Sequence, residues 1–207
     1  MRKRGRYIVI EGNDGTGKST QVELLATYLR EKGIESYVPH EPAGTLIADE
    51  IRKIIKNGSL KRDGKTNLLL FTAARHEIWR RAKRELSHGK WVISARNYLS
   101  TLAYQGVGEG LSATLIEQTT RTFTDDKYMK PDVTIILTLN DQTERSKRIA
   151  SRGRPEKPDT FESRSQDFQD RVNDAYVSIA VERGYTIIDA SRSIEDIQLD
   201  IRALLGA

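Results

Sequence analysis

Short, mostly apolar runs recur along the chain between longer segments that have helical periodicity. The runs occupy residues 7–10, 36–38, 91–93, 133–137 and 186–188. Their apolar residues are continuous rather than alternating, as in strands that are covered on both faces. Strands of this kind alternating with helices predict an α/β fold, a doubly wound five-stranded parallel sheet with helices on both faces.

Several helix ends are marked by capping residues. Asp141 is followed three residues later by Glu144, which is the pattern of a capping box at a helix start. Gly33, Gly89 and Gly184 each follow a helical stretch at the point where a left-handed residue is favoured. These signals predict where the helices between the strands begin and end.

Length and composition restrict the class of protein. A chain of 207 residues is long enough for one good core, so we expect a single domain over residues 1–207. The absence of cysteine excludes disulfides, thiol catalysis and cysteine-bound metals. His40, His76 and His88 are too scattered to predict a zinc site.

The distribution of charge and apolar residues bears on location and partners. The sequence has neither the apolar segment of a signal peptide nor a run near the roughly 18 residues that span a bilayer, so we expect a cytoplasmic protein without membrane contact. The net charge of +5 suits an anionic partner.

The strongest motif is a glycine-rich loop directly after the first apolar run. It fits the pattern G-x-x-x-x-G-K-[ST], and a helix is predicted after it, from residue 18 to residue 32. Such a loop binds phosphates with main-chain N–H groups, while the lysine contacts the outer phosphates and the serine hydroxyl ligates Mg²⁺. The predicted ATP site comprises Gly12, Asn13, Asp14, Gly15, Thr16, Gly17, Lys18, Ser19 and Thr20, with Ser19 as the metal ligand.

The loop alone does not identify the acceptor of the phosphate. ATPases, GTPases, nucleotide switches and small-molecule kinases all use it. No guanine-specific N-K-x-D signature is present, since the nearest stretch, Asn140 to Glu144, lacks the lysine. The acceptor must therefore be inferred from other motifs.

Five further motifs follow in a fixed order. They are "EPAG" from Glu41, "FTAARHE" from Phe71, "WVISARNYLSTLAYQG" from Trp91, an arginine-rich segment, and "IIDAS" from Ile187. With the loop, this series resembles bacterial thymidylate kinase along nearly the whole chain. The resemblance implies a P-loop nucleoside-monophosphate-kinase fold, transfer of the γ-phosphoryl group of ATP to dTMP with Mg²⁺, and a homodimer.

The resemblance also implies where dTMP binds. Phe71 and Arg75 are four residues apart, hence on one helix face, and would stack on thymine and bond its O4. Arg96, after a predicted strand, would contact the acceptor phosphate. On a short helix predicted to start near Ser100, Thr101 and Gln105 would lie along the base edge, and Tyr104 would crowd the 2′ position of the sugar. The full predicted acceptor site comprises Asp14, Glu41, Pro42, Phe71, Arg75, Arg96, Ser100, Thr101, Tyr104, Gln105 and Glu162.

The arginine-rich segment, about residues 151–162, is predicted to be a lid. Gly153, Pro155 and Pro158 forbid a continuous helix there. Phosphoryl transfer needs positive side chains around the moving group, and the glycine loop carries no arginine. Arg145, Arg148 and Arg152 share a helical face leading into the lid, with Arg154 beyond it, and the resemblance implies a lid that supplies the catalytic arginines. The predicted catalytic residues are Lys18, Arg96, Arg148, Arg152 and Arg154.

Three positions depart from the family pattern. Ala95 stands where the family has an aspartate that supports Mg²⁺, so we expect the metal to be supported less well or by another acid, with Asp14 or Glu11 as candidates. His40 replaces the arginine of Arg-Glu-Pro-Gly-Gly, and Thr160 replaces the arginine of the lid motif D-R-x-E.

Other functions remain open on the sequence. Ala95 also suits a nucleotide-binding protein with attenuated catalysis, and the acceptor could be another deoxynucleotide, because a methyl group in a pocket leaves no unique signature. Nucleic-acid binding is disfavoured: Glu77 and Glu85 interrupt the basic cluster, which consists of Arg75, Arg80, Arg81, Lys83 and Arg84.

Overall fold

A five-stranded parallel sheet forms the centre of the molecule, for which the computed structural model describes residues 4–151, 161 and 164–206. The strands are β1 Tyr7–Gly12, β2 Ser36–Tyr37, β3 Trp91–Ala95, β4 Val133–Thr138 and β5 Thr186–Asp189. Their order in the sheet is β2-β3-β1-β4-β5, and each pair is parallel. The predicted fold is confirmed.

Helices lie between the strands on both faces of the sheet. They are α1 Lys18–Glu31, α2 Leu46–Lys56, α3 Gly64–Ser87, α4 Tyr98–Thr101, α5 Ala113–Phe123, α6 Asp126–Met129, α7 Gln142–Ala150, α8 Gln166–Arg183 and α9 Ile194–Leu205. A π-helix, Leu102–Gly108, follows α4 directly. No helix of the described residues is both long and apolar enough to cross a membrane.

The continuous apolar run of β1 serves two hydrophobic cores. Tyr7 and Val9 pack on the face that also buries α3 and α8. Ile8 and Ile10 pack on the opposite face, against α1 and α9. Successive side chains of a strand point to opposite faces, so a strand covered on both sides is apolar at every position.

The predicted caps are present. The Asp141 side chain accepts a hydrogen bond from the Glu144 backbone N–H, 3.0 Å away, at the start of α7. Gly33, Gly89 and Gly184 have φ values of 72°, 86° and 66°, in the left-handed region where glycine is favoured. The boundaries of the predicted elements differ from the observed ones by only a few residues.

The segment after β3 differs from the short helix predicted to start near Ser100. Helix α4 begins earlier, at Tyr98, because the side chain of Asn97 accepts a hydrogen bond from the N–H of Leu99. After Thr101 the chain continues as the π-helix, which α-helical spacing cannot predict. The π-helix carries Tyr104 and Gln105, and π-helical turns are frequent at functional sites.

Candidate active site

The glycine loop links β1 to α1 at the carboxyl edge of the sheet. Gly12, Gly15 and Gly17 have φ values of 141°, 87° and 85°. A Cβ at Gly12 would lie 2.2 Å from the carbonyl oxygen of Leu137 on β4, so a larger residue does not fit. The glycines therefore allow the tight turn of a phosphate-binding loop that ends at a helix N-terminus.

Internal hydrogen bonds hold this loop in shape. The ammonium group of Lys18 donates to the carbonyl oxygen of Asn13 at 2.7 Å, and the Thr16 hydroxyl donates to the same oxygen at 2.9 Å. Lys18 is buried, whereas Ser19 and Thr20 at the start of α1 are exposed. The predicted lysine and serine thus lie where a nucleotide can reach them.

A cavity of about 250 Å³ opens beside the loop and contains the predicted acceptor residues. Its lining includes Lys18 and Ser19, hence it reaches the predicted ATP site. The predicted acceptor residues brought together in its wall are Asp14, Glu41, Pro42, Phe71, Arg75, Arg96, Ser100, Thr101, Tyr104 and Gln105. Glu162, also predicted for this site, lies outside the described residues.

Phe71 and Arg75 lie side by side in the cavity wall on α3. The Arg75 guanidinium carbon is 5.1 Å from the centre of the Phe71 ring. Arg75 is 2% exposed and donates to the carboxylate of Glu41 at 3.1 Å and to the Thr101 hydroxyl at 2.7 Å. An aromatic ring and a donor group are therefore presented together, as the sequence spacing predicted.

Glu41 is a buried carboxylate in the same wall. Its oxygens accept from Arg75 and from the hydroxyl of Tyr128, at 3.0 and 3.2 Å. Burial raises the pKa of Glu41 to about 7, although the Arg75 charge and the Tyr128 hydrogen bond act to lower it.

Gln105 adds an unsatisfied polar group to the cavity. Its side-chain nitrogen is buried and has no hydrogen-bond partner among the described residues. A buried amide without a partner is costly, so a ligand atom that accepts this hydrogen bond would be favoured.

Tyr104 connects the cavity to the glycine loop. Its hydroxyl donates to the side-chain oxygens of Asn13 and Asp14, each at 2.9 Å. The ring is buried and contacts Phe161 with a centroid distance of 5.7 Å. The two predicted nucleotide sites thus share hydrogen-bonded side chains.

Arg96 follows the end of β3 in a conformation unusual for its type. Its φ is 91°, in the region where non-glycine residues are strained, and such residues concentrate at functional sites. The guanidinium forms an ion pair with Asp14 and donates to Ser100 at 3.0 Å and to Tyr176 at 3.3 Å. Packing therefore holds the predicted phosphate-contacting arginine at the cavity.

Glu11, which we considered as a Mg²⁺ ligand, has another role. It is fully buried and accepts hydrogen bonds from the N–H groups of Asn97 and Ser100 and from the hydroxyls of Ser100 and Tyr176. Both oxygens of this carboxylate accept hydrogen bonds, and Glu11 is not among the residues that line the cavity, which disfavours Glu11 as a metal ligand.

The side chains near the glycine loop offer few ligands of their own to a metal ion, which fits a Mg²⁺ ion held mainly by phosphates and water. No cluster of three or more acidic or histidine side chains suited to a metal occurs in the described part of the chain. Asp14 is paired with Arg96, and Ala95 offers a methyl group to the cavity. Ser19 is exposed in the cavity wall, and Mg²⁺ commonly keeps waters and substrate phosphates as most of its ligands.

The structure describes two of the arginines that lead into the predicted lid. Arg145 is buried, and a Cβ at Gly15 would lie only 2.7 Å from its Cγ, so Arg145 packs on the glycine loop. Arg148 instead donates to Glu144 and to the carbonyl of Ala190, away from the cavity. Arg152 and Arg154, with most of the lid, lie outside the described residues.

Sequence reasoning did not select several residues of this site. Arg52 and Lys56 both line the cavity and lie one helical turn apart on α2. Their spacing of four residues could have indicated a shared basic face in the sequence. Tyr176 reaches Glu11 and Arg96 from α8, about 80 residues along the chain from Arg96, and no local pattern indicates such a contact. The lining residues not selected are Arg52, Ile55, Lys56 and Phe161, whereas His40 and Ala95, which also line the cavity, are two of the departures from the family pattern.

Fold and site together define a class of protein. A glycine loop, a lysine and a serine at a helix N-terminus face a second cavity that holds arginines and an aromatic ring. This is the arrangement of a P-loop phosphotransferase, in which two anionic ligands meet end to end.

Comparison with known proteins gives the family. The thymidylate kinase family model matches residues 10–201. The chain is 34% identical to a thymidylate kinase of Carboxydothermus hydrogenoformans, over 98% of this chain and 97% of that one. It is 38% identical to a thymidylate kinase of Legionella pneumophila, over 97% and 94%.

A solved structure agrees with this result. The crystal structure of thymidylate kinase from Ehrlichia chaffeensis superposes with a TM-score of 0.78, at 29% identity and 99% coverage of both chains. The chain belongs to the thymidylate kinase family.

Proposed function

We propose that this cavity and the adjoining loop transfer the γ-phosphoryl group of ATP to dTMP, giving dTDP and ADP. Membership of the thymidylate kinase family makes dTMP the acceptor and ATP the co-substrate. The observation that carries the proposal is the single cavity that joins Lys18 and Ser19 to Phe71, Arg75 and Arg96.

Each group has a role in aligning the two nucleotides. The glycine loop and Lys18 bind the ATP phosphates, and Ser19 would hold Mg²⁺, which would neutralise developing charge on the transferred group. Phe71 stacks on the base, while Arg75, Thr101 and Gln105 contact its polar edge. Support for these roles comes from the shared cavity and from the unpartnered amide of Gln105.

Arg96 binds the acceptor phosphate in this proposal. Its guanidinium already holds one anion, the carboxylate of Asp14, at the cavity. An arriving phosphate offers more acceptor oxygens than a carboxylate and therefore competes for the same donors. A carboxylate displaced from Arg96 in this way would be available to hold Mg²⁺, as the prediction of Asp14 as a metal ligand requires.

A cytoplasmic location and a homodimer are part of the same proposal. Leu69 on α3 and Phe123 at the end of α5 are 62% and 51% exposed. The side chain of His76, two turns after Leu69 on the same side of α3, lies 2.6 Å from the backbone carbonyl of Phe123, so the end of α5 lies beside the helix face that carries Leu69. An apolar face of this kind suits a second copy of the chain.

A coupled assay of ADP release tests the acceptor assignment. We expect turnover with dTMP well above that with dCMP, because Arg75 only donates hydrogen bonds and cytosine has an amino group where thymine has O4. Turnover with dGMP and shikimate should also be low, because a purine is larger than a pyrimidine and shikimate has no base to stack on Phe71. Including dUMP measures the contribution of the thymine methyl group. Turnover with dTMP no higher than the ATPase background would refute the assignment.

A second candidate is a nucleotide-binding protein with attenuated catalysis, which Ala95 in the cavity wall favours. Calorimetry separates the two functions. An attenuated protein would bind ATP and dTMP but form no dTDP on long incubation.

A further inference from the structure

Glu41 lies between an arginine of the cavity and a tyrosine behind it. One carboxylate oxygen accepts from Arg75 Nε at 3.1 Å, and the Tyr128 hydroxyl donates to both oxygens at 3.0 and 3.2 Å. All three side chains are buried. Among the described hydrogen bonds, Tyr128 is linked to Arg75 through Glu41.

The hydrogen bonds of Arg75 leave it few orientations. Nε donates to Glu41, one terminal nitrogen to the Thr101 hydroxyl at 2.7 Å, and the other to the Asn97 carbonyl at 2.8 Å. A guanidinium carries two N–H groups on each terminal nitrogen. Among the described contacts, the second N–H of each is left for a ligand in the cavity.

We propose that Tyr128 and Glu41 are positioning residues that orient Arg75 for the base oxygen of the acceptor nucleotide. The inference rests on the proposed function, in which Arg75 contacts the base. Glu41 and Tyr128 would act by fixing the orientation of the Arg75 guanidinium and by neutralising its charge. A guanidinium that is fixed before binding loses less entropy when the ligand arrives.

The aromatic surroundings of Tyr128 make it a rigid support. It lies in the short helix α6, where the side chain of Asp125, just before the helix, accepts a hydrogen bond from its N–H at 3.0 Å. Its ring packs against Trp79 and Tyr7, with centroid distances of 5.2 and 6.0 Å. The hydroxyl is therefore held in place by packing as well as by its hydrogen bonds.

The protonation of Glu41 gives a measurable pH dependence of dTMP binding, which a purely structural role of Tyr128 would not shift. The groups with which its charge interacts are Arg75 on α3, Tyr128 on α6, Glu11 and Tyr7 on β1, and Tyr37 on β2. The hydrogen bond from Tyr128 lowers the pKa of Glu41, which burial has raised to about 7. Loss of that hydrogen bond raises the pKa further, so Glu41 takes up a proton at higher pH and stops balancing Arg75.

The test compares Tyr128→Phe with Tyr7→Phe in the full chain. Tyr7 belongs to the same aromatic cluster, but the hydrogen bonds described for Glu41 come from Arg75 and Tyr128 and not from Tyr7, so Tyr7 is the matched control. For Tyr128→Phe we expect KM for dTMP to rise by roughly tenfold at neutral pH, with kcat and KM for ATP nearly unchanged. The rise of KM for dTMP on acidification should also start at higher pH than in the wild type.

Tyr7→Phe should reproduce the wild-type KM and pH profile. Equal effects of the two variants, or a loss of kcat with no change in KM for dTMP, would overturn the inference. In a second arm, Glu41→Gln keeps the shape and removes the charge, and calorimetry should show weakened dTMP binding with unchanged ATP binding. If Glu41→Gln binds dTMP as tightly as the wild type, the inference is also overturned. The proposed function is tested separately, by the ADP-release assay with the wild-type protein.

Discussion

Ala95 occupies the end of β3, where the family pattern has an aspartate. It lines the cavity next to Arg96, and the two acids of the cavity wall, Asp14 and Glu41, are each paired with an arginine. We expect Ala95→Asp to lower the Mg²⁺ concentration for half-maximal rate by roughly 10- to 100-fold, because a carboxylate there can hold the waters of the metal. A Mg²⁺ titration of initial rates measures this change.

The control for this prediction is Ala95→Asn, which has nearly the same shape and no charge. It should leave the Mg²⁺ dependence close to that of the wild type. If the Asp and Asn variants behave alike, or if neither differs from the wild type, position 95 has no part in metal binding.

At the scale of elements, the contact between the π-helix and α8 positions one wall of the cavity. A Cβ at Gly108 would lie 2.6 and 2.9 Å from ring atoms of Phe168 on α8. We expect Gly108→Ala to lower the free energy of unfolding by about 1–3 kcal/mol, because the ring or the helix must move to admit the methyl group. Chemical denaturation measures the change.

Gly106 in the same π-helix is the matched control. A Cβ there would be 3.4 Å from a methyl carbon of Ile116 on α5, which is an ordinary contact. Gly106→Ala should change the stability by less than about 1 kcal/mol. Equal losses in both variants would mean that the cost comes from the helix backbone and not from the contact with Phe168.

At the scale of the whole molecule, the proposed dimer should depend on the face that contains Leu69 and Phe123. We expect Leu69→Glu to convert the dimer to a monomer at micromolar concentration, because a charge buried in an apolar interface is costly. Light scattering after size-exclusion chromatography measures the mass of each form.

Val181 on α8 provides the control, since it is 72% exposed on another helix. Val181→Glu should leave the mass unchanged. A wild-type protein that runs as a monomer would contradict the proposed dimer, and a dimer that survives Leu69→Glu would place its interface elsewhere.

The nucleotide loop and the sheet could be predicted because their signals are local. The spacing from Gly12 to Ser19 is contiguous in the sequence, and each apolar run is itself a strand. The pair Phe71 and Arg75 is also local, since one helical turn separates the two residues. Patterns of this kind depend on backbone geometry that repeats within a few residues.

The chain order of motifs, by contrast, gave no information about which polar groups pair. Glu11 was a metal candidate in the sequence, but Ser100 and Tyr176, far along the chain, use its oxygens as hydrogen-bond acceptors. Arg148 shares a predicted face with Arg145, yet Arg145 alone of the two packs on the glycine loop. The pairing of buried charges depends on which elements meet in space.

The sequence by itself predicted the α/β sheet and the phosphate-binding loop, because hydrophobic periodicity and contiguous spacing encode them. Most residues of the predicted acceptor site came from the resemblance to thymidylate kinase, and they line one cavity. Only the tertiary structure decided that Arg96 takes a left-handed conformation beside Asp14, that Glu41 accepts hydrogen bonds from both Arg75 and Tyr128, and that a π-helix carries Gln105. Those features arise from packing between distant segments, where burial makes each polar group require a specific partner.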